Sequence, residues 1–157
     1  MEITIKNDLS IQEYNNLRSS VNWNSKDEEL IQNAINNSAI IKTASIGSNT
    51  IGMARVIGDG IYYFLVDVVV IPEYQKKGIG KMLLDEIIKE VENKTKKGQT
   101  SSINLVSING IEGFYEKCGF KKIPHEYHGY GMIKRIKKWK RRDKNEYYRS
   151  KRFEKTI

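Results

Sequence analysis

Residues 67–81 read DVVVIPEYQKKGIGK. Four β-branched residues follow Asp67, as in a buried strand. Pro72 then ends the strand, because proline has no N–H to donate to a neighbouring strand. The segment from Gln75 to Lys81 then places two glycines at the entry of an amphipathic run. Glycine lets backbone amides approach a ligand closely, and a helix N-terminus adds unpaired N–H groups and partial positive charge. The stretch therefore predicts a strand, a turn that holds a diphosphate, and a helix.

A Gly-x-Gly turn also joins strands to helices for ordinary geometric reasons, so a second motif is needed. Residues 114–120 read FYEKCGF. The strand, the turn and this heptapeptide together resemble the GNAT family of acyl-CoA-dependent N-acetyltransferases. The turn is similar to that family's Q/R-x-x-G-x-G/A motif and the heptapeptide to its F/L-Y-x-K-x-G-F motif. The resemblance covers roughly residues 3–134 in element order.

Hydrophobic periodicity and turn residues predict the order of the elements. A strand at 1–6 precedes two helices, one capped by Asp8 or Ser10 and running to about Ser19, the other capped by Ser25 and ending at 36–38. Strands follow at 39–46, 50–57 and 61–71, then a helix at 79–96, a strand at 102–108, a short helix at 111–118, and strand residues from Phe120 and at 130–134. In the long helix we expect these residues to be buried: Met82, Leu83, Ile87, Ile88 and Val91.

This order predicts an α+β fold and differs from a doubly wound nucleotide-binding sheet, in which strand and helix alternate throughout. The resemblance implies a mixed, mostly antiparallel central sheet with helices on both faces. It also implies that the sheet is splayed between its fourth and fifth strands.

Charge is unevenly distributed along the 157 residues. Of the formal net charge of +8, residues 134–157 carry +9 and the rest carries −1. We therefore expect one nearly neutral acetyltransferase domain, 1–134, and a basic C-terminal extension, 135–157. The single cysteine, Cys118, excludes an intrachain disulfide, and no segment is typical of a membrane span or signal peptide. A cytoplasmic protein, monomeric or homodimeric, is expected.

Coenzyme contacts follow from the resemblance. Val68 and Val70 would offer main-chain hydrogen bonds to the pantetheine arm of acetyl-CoA. The pyrophosphate would be held by amides and positive charge of Gln75, Lys76, Lys77, Gly78, Ile79, Gly80 and Lys81. For Lys76 and Lys77, solvated turn lysines are an equally good interpretation.

Acetyl transfer to an amine needs a neutral amine, a stabilised oxyanion and a proton for the departing thiolate. By motif position Tyr115 is the candidate proton donor, with a ring that only packs against the sheet as the alternative. A backbone amide near Val68 or Val69 would meet the oxyanion. Asp67 is the candidate base, directly or through water, and the alternative is a carboxylate paired with Arg55 or a lysine.

The acceptor pocket is expected from the first two helices and the late loop 123–131. Its polar and aromatic candidates are Tyr14, Arg18, Trp23, Tyr127 and Tyr130. Such residues suit an amphipathic amine or an amino-acid-like acceptor, with Arg18 as a partner for a carboxylate. Surface packing is the alternative for each of them.

Three other sequence features give weaker evidence about the site. The family's Asn seven residues before the tyrosine is Ile108 here, with Asn109 one position later, so that coenzyme contact is in doubt. His125 and His128 lack further ligands, and no metal site is predicted. Cys118 has no histidine nearby in sequence to activate it, so direct transfer is favoured over an acyl-enzyme.

Three functions are compatible with these observations. The first is acetyl-CoA-dependent N-acetylation of a small or amino-acid-like primary amine. The second is acetylation of a protein or nucleoprotein recruited by the basic tail, in which Trp139, Tyr147, Tyr148 and Phe153 lie among lysines and arginines as in RNA-binding segments. The third is a non-enzymatic nucleic-acid-binding module, against which both motifs count. A charged extension without a partner is the alternative for the tail.

Overall fold

The computed structural model describes residues 2–136. The chain divides into two compact units, Met1–Lys122 and Ile123–Ile157, and every helix and strand of the described residues lies in the first. The predicted tail aromatics and most of the basic extension fall outside the described residues. No helix within 2–136 is long and apolar enough to cross a membrane.

The elements follow the predicted order. They are β1 (Thr4–Lys6), α1 (Ile11–Ser20), α2 (Glu28–Asn36), β2 (Ile40–Ile46), β3 (Asn49–Gly58), β4 (Tyr62–Val70), a 3-10 turn (Pro72–Tyr74), α3 (Ile79–Lys94), β5 (Ser102–Leu105) and α4 (Glu112–Lys117). The sheet order is β1-β2-β3-β4-β5, antiparallel through β4 and parallel between β4 and β5. This mixed, open sheet with helices confirms the predicted fold class.

Local hydrogen bonds set the helix starts. Ser10 and Glu13 form a reciprocal capping box, in which the Glu13 amide donates to the Ser10 hydroxyl at 3.2 Å and the Ser10 amide donates to the Glu13 carboxylate at 2.8 Å. The cap predicted at Ser25 is wrong, because Asp27 accepts from the amides of Glu29 and Leu30 and starts α2 two residues later.

One extra residue in β4 sets which side chains face which helices. Arg55 of β3 lies opposite Asp67, and the next residue of β3 lies opposite Leu65, so Val66 has no partner and forms a bulge. Before it, Leu65 belongs to the core cluster that includes α3; after it, Val69 belongs to the cluster formed with α1 and α2. The bulge thereby turns Asp67 and Val69 toward α1 and α2.

Val68 and Val70 pack against the other cluster, on the α3 face. The predicted alternation, with Asp67 and Val69 on one side and Val68 and Val70 on the other, is confirmed. Helices thus cover both faces of the sheet, α1 and α2 on one and α3 and α4 on the other.

One predicted strand boundary is wrong, and two predicted strands do not form within the described residues. β5 ends at Leu105 instead of Ile108, because its last paired residue lies opposite Leu65 and β4 turns away at the bulge. No strand forms at Phe120 or at 130–134 within the described residues. After Phe120, Pro124 lacks the N–H donor that a strand would need. At 130–134, Met132 and Ile133 are 98% and 71% exposed, so no buried apolar face holds a strand in place.

Three of the five residues predicted to be buried in α3 are buried, and Leu84 is buried although it was not predicted. Leu83, Leu84, Ile87 and Val91 are buried and Ile88 is partly buried, whereas Met82 is 39% exposed. Met82 lies at the edge of the apolar stripe, where the helical period carries it away from the sheet.

The α3 packing can be tested with two neighbouring residues. Leu83→Ala should lower the free energy of unfolding by about 2–5 kcal/mol, because Leu83 is fully buried and truncation leaves a cavity. Met82→Ala, the matched control, should cost about 1 kcal/mol or less. Urea denaturation measures both, and equal losses would contradict the assigned faces of α3.

Candidate functional site

The sheet opens between β4 and β5. Their pairing ends at Leu65 opposite Leu105, while β4 continues beside β3 to Val70. The Ile71 amide donates to the Ile51 carbonyl at 2.9 Å, which fixes Ile71 and, by alternation, Val69 as residues hydrogen-bonded to β3. Val68 and Val70 therefore direct their backbone groups toward the open side. The family resemblance implied that these same backbone groups of Val68 and Val70 bind the coenzyme.

Gln75 closes part of this edge. Its side-chain amide donates to the Val70 carbonyl at 2.9 Å, and its backbone N–H donates to the Pro72 carbonyl at 3.2 Å. Both donors are engaged within the protein. Gln75 thus connects the turn to the end of β4. The sequence analysis placed Gln75 in the phosphate site and did not predict this structural role.

The turn that follows presents free amides. Gly78 has φ +83°, a left-handed conformation that favours glycine, and Lys76 has φ +58°. Gly78 is the N-cap of α3, no side chain of residues 2–136 caps the helix, and its first turn contains no acidic residue. The first intrahelical bond runs from the Met82 amide to the Gly78 carbonyl at 3.0 Å. The amides of Ile79, Gly80 and Lys81 are consequently left for an anion.

The lysines of the turn differ in their surroundings. Lys76 is exposed, the Lys77 ammonium lies 5.1 Å from the centroid of the Tyr74 ring, and Lys81 pairs with Asp85 one turn along α3. Lys76 and Lys77 remain free to approach a phosphate, since neither is engaged by a carboxylate among the described residues.

Gly80 brings two helices together. A Cβ at this position would lie 3.2 Å from Cζ of Phe114 in α4, tighter than ordinary contact. The lack of a side chain therefore lets α4 approach α3. The adjacent Tyr115 is carried to the same face of the sheet as Val68 and Val70.

Tyr115 is held by aromatic contacts and has an uncommitted hydroxyl. Its ring lies edge-on to Phe114 at 5.0 Å and to Phe120 at 6.0 Å between centroids. Within 2–136 the hydroxyl makes no hydrogen bond. Burial raises the pKa of the phenol, and the nearby Cys118 thiol adds to the rise. Tyr115 therefore keeps its proton at neutral pH and can donate it.

The remaining residues near α4 are unremarkable. Cys118 is partly buried, and burial raises the pKa of its thiol, which disfavours the thiolate a nucleophile needs. Ile108 is 54% exposed, and Asn109 lies in an exposed turn. Within the described residues no group of three His, Cys, Asp or Glu side chains is arranged to hold a metal ion.

A buried charge cluster lies on the opposite face of β4. Asp67 accepts from Arg55 Nε at 2.9 Å and from the Tyr14 hydroxyl at 3.1 Å, and Arg18 Nη1 lies 3.5 Å from its other oxygen. This ion pair with Arg55 is the alternative that the sequence left open for Asp67. Both oxygens face donors, so the geometry favours a fixed carboxylate over a free base.

Two aromatic rings and a carbonyl hold the Arg18 side chain. The guanidinium carbon lies 5.6 Å from the Tyr14 ring centroid and 5.1 Å from that of Trp23, and Nε donates to the Asn24 carbonyl at 3.0 Å. The structure thus brings together three of the predicted acceptor residues. Tyr127 and Tyr130 belong to the second unit, where they are 96% and 82% exposed.

The sequence analysis did not predict the full set of hydrogen bonds in the cluster around Asp67. Arg55 Nη1 also donates to the Ala34 carbonyl and to the Ser38 hydroxyl, both at 3.3 Å. The contributing residues are far apart in the chain, and no local motif relates them. The one available signal was an arginine and an aspartate in adjacent predicted strands.

Residues 37–122 match the family described as the acetyltransferase (GNAT) domain. The uncharacterized N-acetyltransferase ycf52 of Pyropia yezoensis is 29% identical over 74% of this chain and 67% of its own. The chloroplastic serotonin N-acetyltransferase 2 of Oryza sativa is 26% identical over 77% of this chain and 61% of its own.

A solved GNAT-family acetyltransferase from Streptococcus pneumoniae TIGR4 superposes with a TM-score of 0.71 at 26% identity, covering 87% of this chain and 98% of that one. The family match spans more than half of the chain and includes β4, the glycine turn and the Tyr115 motif. The chain therefore belongs to the GNAT family of acetyltransferases.

Proposed function

We propose that this acetyltransferase moves the acetyl group of acetyl-CoA directly to the primary amine of a small-molecule or amino-acid-like acceptor. The observation that carries the proposal is the meeting of three features. The open edge of β4, the uncapped start of α3 and the uncommitted hydroxyl of Tyr115 lie on one face of the sheet. Each supplies a different part of what the reaction needs.

The residues present fit acetyl-CoA, the cosubstrate of the family. The free amides of Ile79, Gly80 and Lys81 suit its diphosphate, with Lys76 and Lys77 beside them. Gly78 has no side chain to cover these amides. The outward N–H and C=O of Val68 and the outward N–H of Val70 suit the amides of its pantetheine arm, while the Val70 carbonyl is taken by Gln75. Bound acetyl-CoA supplies the activated acetyl thioester.

The chemistry that we assign to the side chains of this protein is proton transfer. The acetyl group passes from sulfur to the amine nitrogen, the amine loses one proton, and the departing thiolate gains one. Tyr115 holds a proton for the thiolate. Because Asp67 is engaged by Arg55, Arg18 and Tyr14, we assign amine deprotonation to solvent water and give Asp67 the task of fixing those three side chains.

Recruitment of a protein or nucleoprotein by the basic tail stays a prediction, since 137–157 lie outside the described residues. The cytoplasmic location also stays a prediction. A non-enzymatic module is not supported, because the family match includes both motifs on which the enzyme interpretation depends.

The diphosphate site can be tested at Gly78 with two isosteric replacements. Asp and Asn both tolerate a left-handed backbone, so Gly78→Asn and Gly78→Asp should fold alike. The aspartate places a negative charge at the start of α3 beside the proposed phosphates. Titration calorimetry should show acetyl-CoA binding about tenfold weaker for Gly78→Asp than for Gly78→Asn. Equal dissociation constants would contradict the assignment.

The proton donor can be tested with Tyr115→Phe. The ring and its packing remain, and the proton is lost, so kcat should fall on the order of 100-fold while acetyl-CoA affinity stays the same. In the wild-type protein, kcat should not fall between pH 7 and about pH 10 through loss of this proton, because the pKa of Tyr115 is raised above the ordinary value near 10.

Tyr62→Phe is the matched control, since Tyr62 is 64% exposed and has no assigned role. Stopped assays of free thiol over this pH range provide the measurement. Unchanged kcat in Tyr115→Phe, or an alkaline decline near pH 8 that Tyr115→Phe abolishes, would refute the assignment.

A further inference from the structure

We infer that Arg18 is a specificity-determining residue that selects acceptors with a carboxylate next to the amine. This inference rests on the proposed function and narrows its substrate class. It is carried by the charges of the buried cluster, by the way Arg18 is held, and by the donors that Arg18 leaves unused.

The cluster contains one more positive than negative charge. The side chains of Arg18, Arg55 and Asp67 are 12%, 11% and 8% exposed. Two guanidinium groups therefore share a single carboxylate where water is scarce. An unneutralised cation in such a place is costly, and a bound anion would relieve that cost.

The excess charge belongs to Arg18 rather than to Arg55. Arg55 approaches Asp67 at 2.9 Å, against 3.5 Å for Arg18. Arg55 also donates to the Ala34 carbonyl near the end of α2, and Arg18 lies in the last turn of α1, so the helix dipoles favour both cations and the distances to Asp67 distinguish them. Arg18 faces no carboxylate other than Asp67 among the described residues.

Arg18 also has donors to spare, and they reach solvent. Its Nε is taken by the Asn24 carbonyl and one Nη1 position faces Asp67, whereas Nη2 has no partner within 2–136. Because the described residues contain no buried side-chain nitrogen without a partner, Nη2 must be accessible from outside. The open Nη2 edge can donate to the carboxylate of a bound acceptor, a charge-assisted hydrogen bond.

The rings of Tyr14 and Trp23 hold this edge in one orientation before any ligand binds. Preorganised donors bind more tightly, because less side-chain freedom is lost on binding. Asp67 adjoins Val68, whose backbone lines the open edge of β4. Arg18 is thus held, through Asp67, against the strand that we assign to acetyl-CoA.

The test compares amines that differ only in the α-carboxylate. The pairs are tryptophan and tryptamine, phenylalanine and phenethylamine, lysine and cadaverine, and arginine and agmatine. Thiol release from acetyl-CoA gives kcat/KM for each member. For at least one pair the wild-type protein should prefer the carboxylate member by about tenfold or more.

Arg18→Gln should reduce that preference to near unity by lowering kcat/KM for the carboxylate member about 10- to 100-fold. Lys89→Gln is the charge-matched control, since Lys89 lies on the exposed side of α3, and it should keep the wild-type preference. Arg18→Lys keeps the charge without the planar fork and should fall between the two. If Arg18→Gln fails to fold, the preference of the wild-type protein and its change in Arg18→Lys still decide the matter.

The possible failures are distinguishable. Acetylation of the decarboxylated members as well as or better than their partners would overturn the role of Arg18 and leave the proposed function standing. A preference that survives in Arg18→Gln would overturn it too. Acetylation of no member of any pair, by a protein that binds acetyl-CoA, would overturn both the inference and the proposed small-molecule function.

Discussion

The bulge at Val66 is the constraint on which both halves of the site depend. A regular strand would present the residues from Tyr63 to Val69 in one unbroken alternation. The extra residue reverses that alternation, so that Leu65 packs toward α3 and Asp67 points toward α1. It also marks where β4 parts from β5 and exposes the backbone of Val68 and Val70. The unpaired residue Val66 thus marks the start of the open edge and turns the buried carboxylate of Asp67 toward α1.

The two faces of β4 then take separate tasks. On the α3 face, uncapped amides, outward main chain and a protonated phenol are arranged around the open edge. On the α1 face, Asp67 gathers Tyr14, Arg18 and Arg55 into a cluster that is costly to bury and rigid once formed. Such a cluster contributes little net stability, and we propose that its role is to hold Arg18 in a fixed orientation. In our proposal, coenzyme binding and acceptor selection therefore use opposite faces of β4.

Much of this was predictable from sequence, because the relevant signals are local. The residue types of the strand Asp67–Ile71 and of the glycine turn favour a particular backbone, and FYEKCGF was interpreted through its resemblance to the family motif. The element order and the two faces of β4 followed from periodicity. The strand boundaries around β5 did not follow, since Val106 and Ile108 are apolar and the bulge that removes their partner leaves no mark in the sequence.

The acceptor side was predicted only as a set of candidates. Tyr14, Arg18 and Trp23 were named for their chemistry, and the structure brings them together. The engagement of Asp67 depends on Arg55 in a neighbouring strand and on the end of α2, contacts between residues distant in sequence. The cap of α2 was misplaced because Ser25 and Asp27 are both good caps, and only the geometry of the turn selects one.

The proposed function depends on the backbone amides of Val68 and Val70, beyond the bulge, being free to receive acetyl-CoA. Amide hydrogen exchange at single residues tests this most directly, with Val69, which pairs with β3, as the internal reference. We predict that the amides of Val68 and Val70 exchange faster than that of Val69 in the free protein and slow markedly when acetyl-CoA is added. Protection of Val68 and Val70 in the free protein, or exchange at both that saturating acetyl-CoA leaves unchanged, would contradict it.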